Sequence, residues 1–211
     1  MAAQPIPVSA PRPSRSEQRR LRILEVAAQC FAKNGFARTR IDDVAAAAGV
    51  SRALVYNHFG SKEGLAREVQ DHMLEEWSAA VDRALAEAPS CGDALSAWLR
   101  VNLADTKRRP LLLAMSADDA APMRLGFEES ARRAMAEWRD KLVALLSRGV
   151  KQREFRADLD VETTAEVLRA MQVGLIQHLL SASPVVDVSG ERHLRAAAEL
   201  LIAGLRRAAP A

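Results

Sequence analysis

Three residues between Ile41 and Phe59 fix what this stretch can build. Ala45 is small enough to let a second helix cross close above it. Gly49 can take the positive φ that a tight turn between two helices needs. Val55 is the apolar residue placed to be buried on the second helix. Counted from Ile41 they stand at positions 5, 9 and 15, the spacing that two short helices need to cross steeply. Val44, Ala48 and Val50 complete a small local core. Such a pair buries one side of its second helix and leaves the other side to solvent.

The rest of the chain reads as helix too. Alanine and leucine dominate and aromatics make up 4% of the 211 residues, a bias toward helix. No strand-like alternation bounded by turn clusters is found. Residues 1–13 hold four prolines and read as a flexible basic arm. Ser14-Arg15-Ser16-Glu17 has the form of a capping box. The helix after it carries Leu24, Ala27, Ala28 and Phe31 on one stripe and should end at Asn34-Gly35. Thr39 is expected to cap the second helix, Ser51 the third and Ser61 a long fourth with Leu65, Val69, Met73, Trp77, Val81 and Leu85. Beyond Pro89, helices are expected near 92–106, 109–117, 123–152, 161–183 and 189–208, the last two capped by Asp160 and Ser189. The expectation is an all-α fold of about nine helices. Residues 1–13 form the arm, 14–60 a three-helix head and 61–211 a helical body.

Several function classes drop out. No apolar run approaches the ~20 residues of a membrane span, and Met1–Arg15 lacks an apolar core of signal-peptide length, so a cytoplasmic protein is expected. Cys30 and Cys91 read as reduced small hydrophobes, and no metal-ligand spacing joins them to a histidine. His72 and His193 read as surface residues, and His178 as a packed core or interface residue. Asp118-Asp119 and Glu128-Glu129 read as solvated charges rather than an acid/base pair. No nucleophile elbow or phosphate-cradling glycine loop is present. Neither catalysis nor a cofactor nor a metal is expected.

Charge points to a partner. Residues 1–62 hold ten Lys and Arg against four acids, while the whole chain carries only +3. A basic head on a mildly acidic body suits a polyanion touched by the head alone, although a merely solvated basic face has the same charge. With Val55 inward, Ala53 and Asn57 lie ~160° away on the second short helix. Leu54 and Tyr56 flank them, and Arg52 and His58 sit at the rim. Exposed Leu and Tyr are out of place on a plain solvated face but fit a DNA major groove. There Asn can pair with an adenine edge, Arg with guanine or phosphate, and Leu can touch a thymine methyl. Thr39, Ser51 and Lys62 stand at helix starts, where hydroxyls, N–H groups and cations hold phosphates.

The stretch ILEVAAQCFAKNGFARTRIDDVAAAAGVSRALVYNHFGSKEGL resembles the N-terminal domain of the tetracycline-repressor family of bacterial transcriptional regulators, from about Arg19 to Leu65. Its parts AAxxxFxxxGF, IxDVAAAAGVS, YNHF and SKEGL are far more specific than the helix spacing. Two positions depart from the family pattern. Thr39-Arg40 stands where two hydroxyls are common, so Arg40 would meet phosphate as a charge. Ala53 stands where Gly or Pro is common, so its base contact would be purely apolar. The resemblance implies a DNA interface of Thr39, Arg40, Ser51, Arg52, Ala53, Leu54, Tyr56, Asn57, His58 and Lys62.

Past residue 66 the likeness is an outline, an all-helical body with EFRADLD before the penultimate helix. It implies a small ligand bound between helices and a homodimer formed by the last two helices. Trp77, Trp98, Asn102, Met115, Phe127, Trp138, Met171 and Gln172 are candidates for the ligand site, which would suit a largely apolar effector; plain core packing is the alternative. Leu168, Leu175, Leu179, Leu194, Ala198, Leu201 and Leu205 are candidates for the dimer interface, because the helix at 161–183 is apolar on more than one side. The alternative is a monomer that buries both faces internally. The expected function is a ligand-responsive repressor on a palindromic operator in double-stranded DNA. An activator or a ligand-independent DNA binder of the same fold is the alternative.

Overall fold

The computed structural model describes residues 14–108, 121–181 and 190–206; for 103–108, 121–128, 131, 175–181, 190–191 and 193–194 it describes backbone only. Eight helices lie within them: α1 (Arg15–Arg38), α2 (Ile41–Ala48), α3 (Arg52–Phe59), α4 (Lys62–Glu87), α5 (Cys91–Arg108), α6 (Ala121–Lys151), α7 (Val161–Ser181) and α8 (Gly190–Leu205). The helix expected at 109–117, Met115, the arm and the Ser189 cap fall outside the described residues. An isolated bridge joins Phe155 to Arg206.

Local chemistry sets the boundaries. Ser14 accepts from the Glu17 N–H at 3.2 Å and donates its own N–H to the Glu17 carboxylate at 2.7 Å, so the capping box forms. Gly35 does break α1, at φ 76°, but the chain makes one further helical turn to Arg38. Thr39 therefore ends α1 instead of starting α2, whose N-cap is Arg40. Gly49 closes the next turn in the left-handed region, φ 70° and ψ 36°, as its lack of Cβ allows. Ser51 and Ser61 cap α3 and α4 as expected, accepting from Leu54 and Gly64 N–H. Asp160 caps α7 through Thr163, whose N–H and hydroxyl both donate to it and hold its carboxyl below the ordinary value.

Two cores form. The first joins Ile23, Leu24, Ala27 and Phe31 of α1, Val44, Ala45 and Ala48 of α2, Val55 and Phe59 of α3, and Leu65, Ala66, Val69 and Met73 of α4. The second joins Val81 of α4 with Leu95, Trp98, Trp138, Leu142, Leu146, Phe155, Leu168 and Leu205. The long helix α4 thus has its first half in one core and its second half in the other. Burial of these side chains, roughly 1.5–3 kcal/mol each when complete, is what orders both ends.

The segment EFRADLD ties the body shut. Glu154 accepts from the N–H groups of Cys91 and Gly92 and so caps α5. Phe155 packs against Gly149, where a Cβ would lie 2.2 Å from its ring. The Arg156 N–H donates to the Leu205 carbonyl at 3.0 Å and holds the end of α8.

Candidate nucleic-acid interface

The three motif residues behave as their spacing requires. Ala45 and Val55 are buried, and Gly49 is exposed at the turn. The outer side of α3 presents Ala53, Tyr56 and Asn57, all exposed, with Leu54 and His58 half-buried beside them. Tyr56 is 39% exposed although it is a large aromatic, an unusual outlay for a side facing only water. Arg40, Ser51 and Arg52 are exposed next to it.

Arg52, the first residue of α3, reaches back across the turn to α2. Its Nη1 donates to both carboxylate oxygens of Asp42, at 3.3 and 3.2 Å. Its guanidinium also lies over the Tyr56 ring, 5.4 Å from the centroid. Tyr56 first, and Asp42 next, hold the guanidinium above its ordinary pKa. Arg40 approaches the same carboxylate at 3.7 Å. Asp42 is not among the sequence candidates, because its link to Arg52 exists only once the turn is folded.

Two further candidates differ from expectation. Thr39 is 2% exposed, and its hydroxyl donates to the carbonyls of Cys30 and Gly35. The extra turn after Gly35 draws it inside, so Arg40 is the exposed neighbour. Lys62 is half-buried; its Nζ donates to the Ala37 carbonyl at 3.1 Å and lies 4.4 Å from the Phe36 centroid. It fastens the start of α4 to the end of α1. Arg20 and Glu68 pair between the same helices, and Arg22 donates to the Ala48 carbonyl.

The body brings four ligand candidates together. The Trp77 indole N–H donates to Asn102 Oδ1 at 3.1 Å, and Asn102 Nδ2 donates to the Trp98 carbonyl at 2.8 Å. Trp98 and Trp138 pack with centroids 5.2 Å apart. Trp98 is 1% exposed, and its indole N–H meets no acceptor among the described residues. Gln172 is half-buried. Met171 is 50% exposed on the outside of α7, away from this cluster, because the register of that helix is set by Ala165 and Leu168 turning inward. The side chain of Phe127 lies outside the described residues.

The dimer candidates divide as well. Leu168 and Leu205 belong to the protein's own core, and Ala198 and Leu201 pack against it. The side chains of Leu175, Leu179 and Leu194 lie outside the described residues. The face that α7 and α8 turn outward is a different one, with Val167, Met171 and Val173 on α7 and Leu200 on α8, the last 74% exposed. An ideal Cβ at Gly174 or Gly204 would meet nothing within 4 Å. An open groove of about 410 Å³ runs along this side past Thr163, Val167, Leu200 and Gly204. Hydrophobic periodicity marks these helices as two-faced without saying which face is inward.

Two short helices packed across a turn at Gly49, with the outer side of the second offered to solvent, have the layout of a helix-turn-helix DNA-binding unit. Residues 23–69 match the bacterial regulatory proteins of the tetR family, and residues 112–184 match the tetracyclin repressor-like C-terminal domain. The chain is 30% identical over 185 residues to the HTH-type transcriptional regulator YfiR of Bacillus subtilis, covering 82% of this chain and 86% of that one. It is 29% identical over 161 residues to the HTH-type transcriptional repressor KstR2 of Mycolicibacterium smegmatis, covering 74% and 77%. The crystal structure of the TetR-family regulator PfmR from Thermus thermophilus superposes with a TM-score of 0.67 at 29% identity, over 88% of this chain and 100% of that one. The chain belongs to the tetracycline-repressor family and is a DNA-binding transcriptional regulator. Among the described residues no helix is long and apolar enough to cross a membrane.

Proposed function

We propose that the protein is a cytoplasmic homodimeric repressor that grips a palindromic operator with two copies of α3 and lets go when an effector binds in the body. The observation that carries the reading is the outer side of α3, where Arg52, Ala53, Tyr56 and Asn57 stand exposed together. Such a set can hydrogen-bond base edges, meet a thymine methyl and touch phosphate at once. The KstR2 relative is itself a transcriptional repressor.

One α3 reads only a few base pairs, so competition from the genome favours two copies about 34 Å apart. The outward face of α7 and α8 supports the pairing. Val167, Met171 and Leu200 are large apolar groups in water, and the small Ala170, Gly174, Ala196 and Gly204 beside them permit close approach of a second copy.

Helix α4 supplies the link between ligand and DNA. Lys62 and Glu68 fix its first half to α1, while Trp77 and Val81 lie in the body. From Trp77 to Lys62 is ~22 Å along the axis, so a ~5° tilt moves the head by ~2 Å and spoils the half-site spacing. The buried Trp98 indole N–H, which meets no acceptor among the described residues, supports an effector that is largely apolar and carries an acceptor atom.

The test is selection of bound sequences from a randomised duplex library by the full-length protein, followed by titration of the selected site. A palindromic consensus is expected. Asn57→Ala should lower affinity for that site about tenfold and flatten preference at its base pair. A consensus that is indifferent to Asn57 would refute recognition by this helix.

A further inference from the structure

We infer that Asp42 is a specificity-determining positioning residue, which presets Arg52 for one base pair and at the same time weakens binding to all other DNA. The inference rests on the reading of α3 as the recognition helix.

The geometry is specific. Asp42 sits in the first turn of α2, and Arg52 is the first residue of α3. Arg52 is held on one side by both oxygens of the Asp42 carboxylate and on another by the Tyr56 ring. Both carboxylate bonds come from Nη1, so the guanidinium has further N–H groups to offer a base edge. An exposed arginine otherwise samples many rotamers, and each must be given up on binding. Two contacts that fix the fork beforehand convert a general phosphate-seeking cation into a group that points one way.

The same carboxylate has a cost. The start of a helix attracts phosphate through its free N–H groups and its dipole. Asp42 places a negative charge at that start, half-exposed and beside Arg40, where the backbone of any duplex would come close. It also neutralises part of the charge of Arg52 and Arg40 toward the polyanion. Sequence-independent binding is therefore weakened, while the one base pair that suits the preset fork keeps its bond. Selectivity is a difference of two affinities, and Asp42 acts on both in the favourable direction. The neighbouring Asp43 does something else: its carboxylate accepts the Arg40 N–H at 3.3 Å, a bond internal to the start of α2.

The experiment compares wild type, D42N, D42E, R52A and D42N/R52A as full-length dimers. Each is run through the same randomised-duplex selection and titrated against the wild-type consensus and a random-sequence duplex at several salt concentrations. R52A should relax preference at one base pair of each half-site. D42N should relax the same base pair, bind the random duplex several-fold more tightly, and lower the ratio of specific to random affinity about tenfold. D42E, whose longer carboxylate still reaches Arg52, should recover most of the preference, a recovery that loss of fold would not give. D42N should add nothing at that base pair once Arg52 is gone. The inference is overturned if D42N keeps the wild-type consensus, or relaxes a base pair that R52A does not touch. If R52A and N57A both leave the consensus intact, it is the recognition reading that fails.

Discussion

Gly64 is a tight point between α3, the proposed recognition helix, and α4, which follows it. A Cβ there would lie 2.1 Å from the Phe59 carbonyl oxygen and 3.3 Å from its carbon. That oxygen is backbone, the last carbonyl of α3, and it accepts the Ser61 N–H at 2.8 Å. In an open helix interior Gly→Ala would gain about 1 kcal/mol. Here non-bonded carbon and oxygen must separate by about 1 Å more, and the expected sign reverses to a net loss of about 1–3 kcal/mol. The strain falls on the end of α3. Eight residues make a helix ~12 Å long, so a ~1 Å shift of that end tilts it by about 5°. Asn57, two residues before Phe59, moves with it by most of that distance. Base hydrogen bonds do not tolerate such a shift, whereas phosphate contacts adjust. G64A should therefore lower the urea midpoint moderately and the affinity for the selected site at least tenfold, with random-duplex affinity nearly kept. Urea melts and fluorescence anisotropy on the same preparation suffice. Wild-type stability together with wild-type site affinity would show that the contact is soft and that α3 is not positioned by it.

Three other outcomes are expected. Leu205→Ala should cost ~2–5 kcal/mol because Leu205 is core, while Leu200→Asp should leave the fold intact and yield monomers by sedimentation; a dimeric L200D would remove the proposed interface. Trp98→Phe deletes a buried N–H that meets no acceptor among the described residues and should leave ligand-free stability within ~1 kcal/mol, whereas Trp98→Ala should cost ~3–5 kcal/mol; a large loss in W98F melts would mean that the N–H is satisfied. The Asp160 carboxyl is held below its ordinary value of 3.8 by the Thr163 N–H and hydroxyl. Its stabilising effect is thus complete above that value and lost as pH falls below it through the depressed one. D160N should flatten this part of the acid melting curve, and an unaltered acid limb would assign the loss to other groups.

The head is legible because its determinants are local. Ala45, Gly49 and Val55 lie within one turn-and-helix unit, and each has a steric task that few other residues perform. Thr39 misleads because hydroxyls favour N-caps in general, and nothing local reveals that Gly35 allows one more turn and draws that hydroxyl inward. Asp42 stays hidden for the opposite reason: an acid in a first turn is ordinary, and its partner ten residues on is met only across the fold. In the body, Val167 and Leu168 are adjacent and equally apolar, as are Leu200 and Leu201. Which of each pair faces the core depends on how α7 and α8 seat against α5 and α6, and periodicity within a helix carries no record of that. The cluster of Trp77, Trp98, Asn102 and Trp138 is nearer to hand, since all four fall on the inward stripes of their helices.

Because Leu65, Ala66, Val69 and Met73 close the first core, the DNA-reading head is not a detachable module ending where the third helix ends. A fragment cut at residue 60 would expose Ile23, Leu24, Phe31 and Val55 to water and lose the bonds from Lys62 and Glu68. The natural seam for grafting this head onto another regulator's body lies beyond Met73, three turns into α4. Any chimera joined there inherits the angle of that helix along with the sequence preference of α3. On the proposed reading, exchange of recognition and exchange of response are mechanically coupled, and a designer must match the pitch of one shaft before swapping either end.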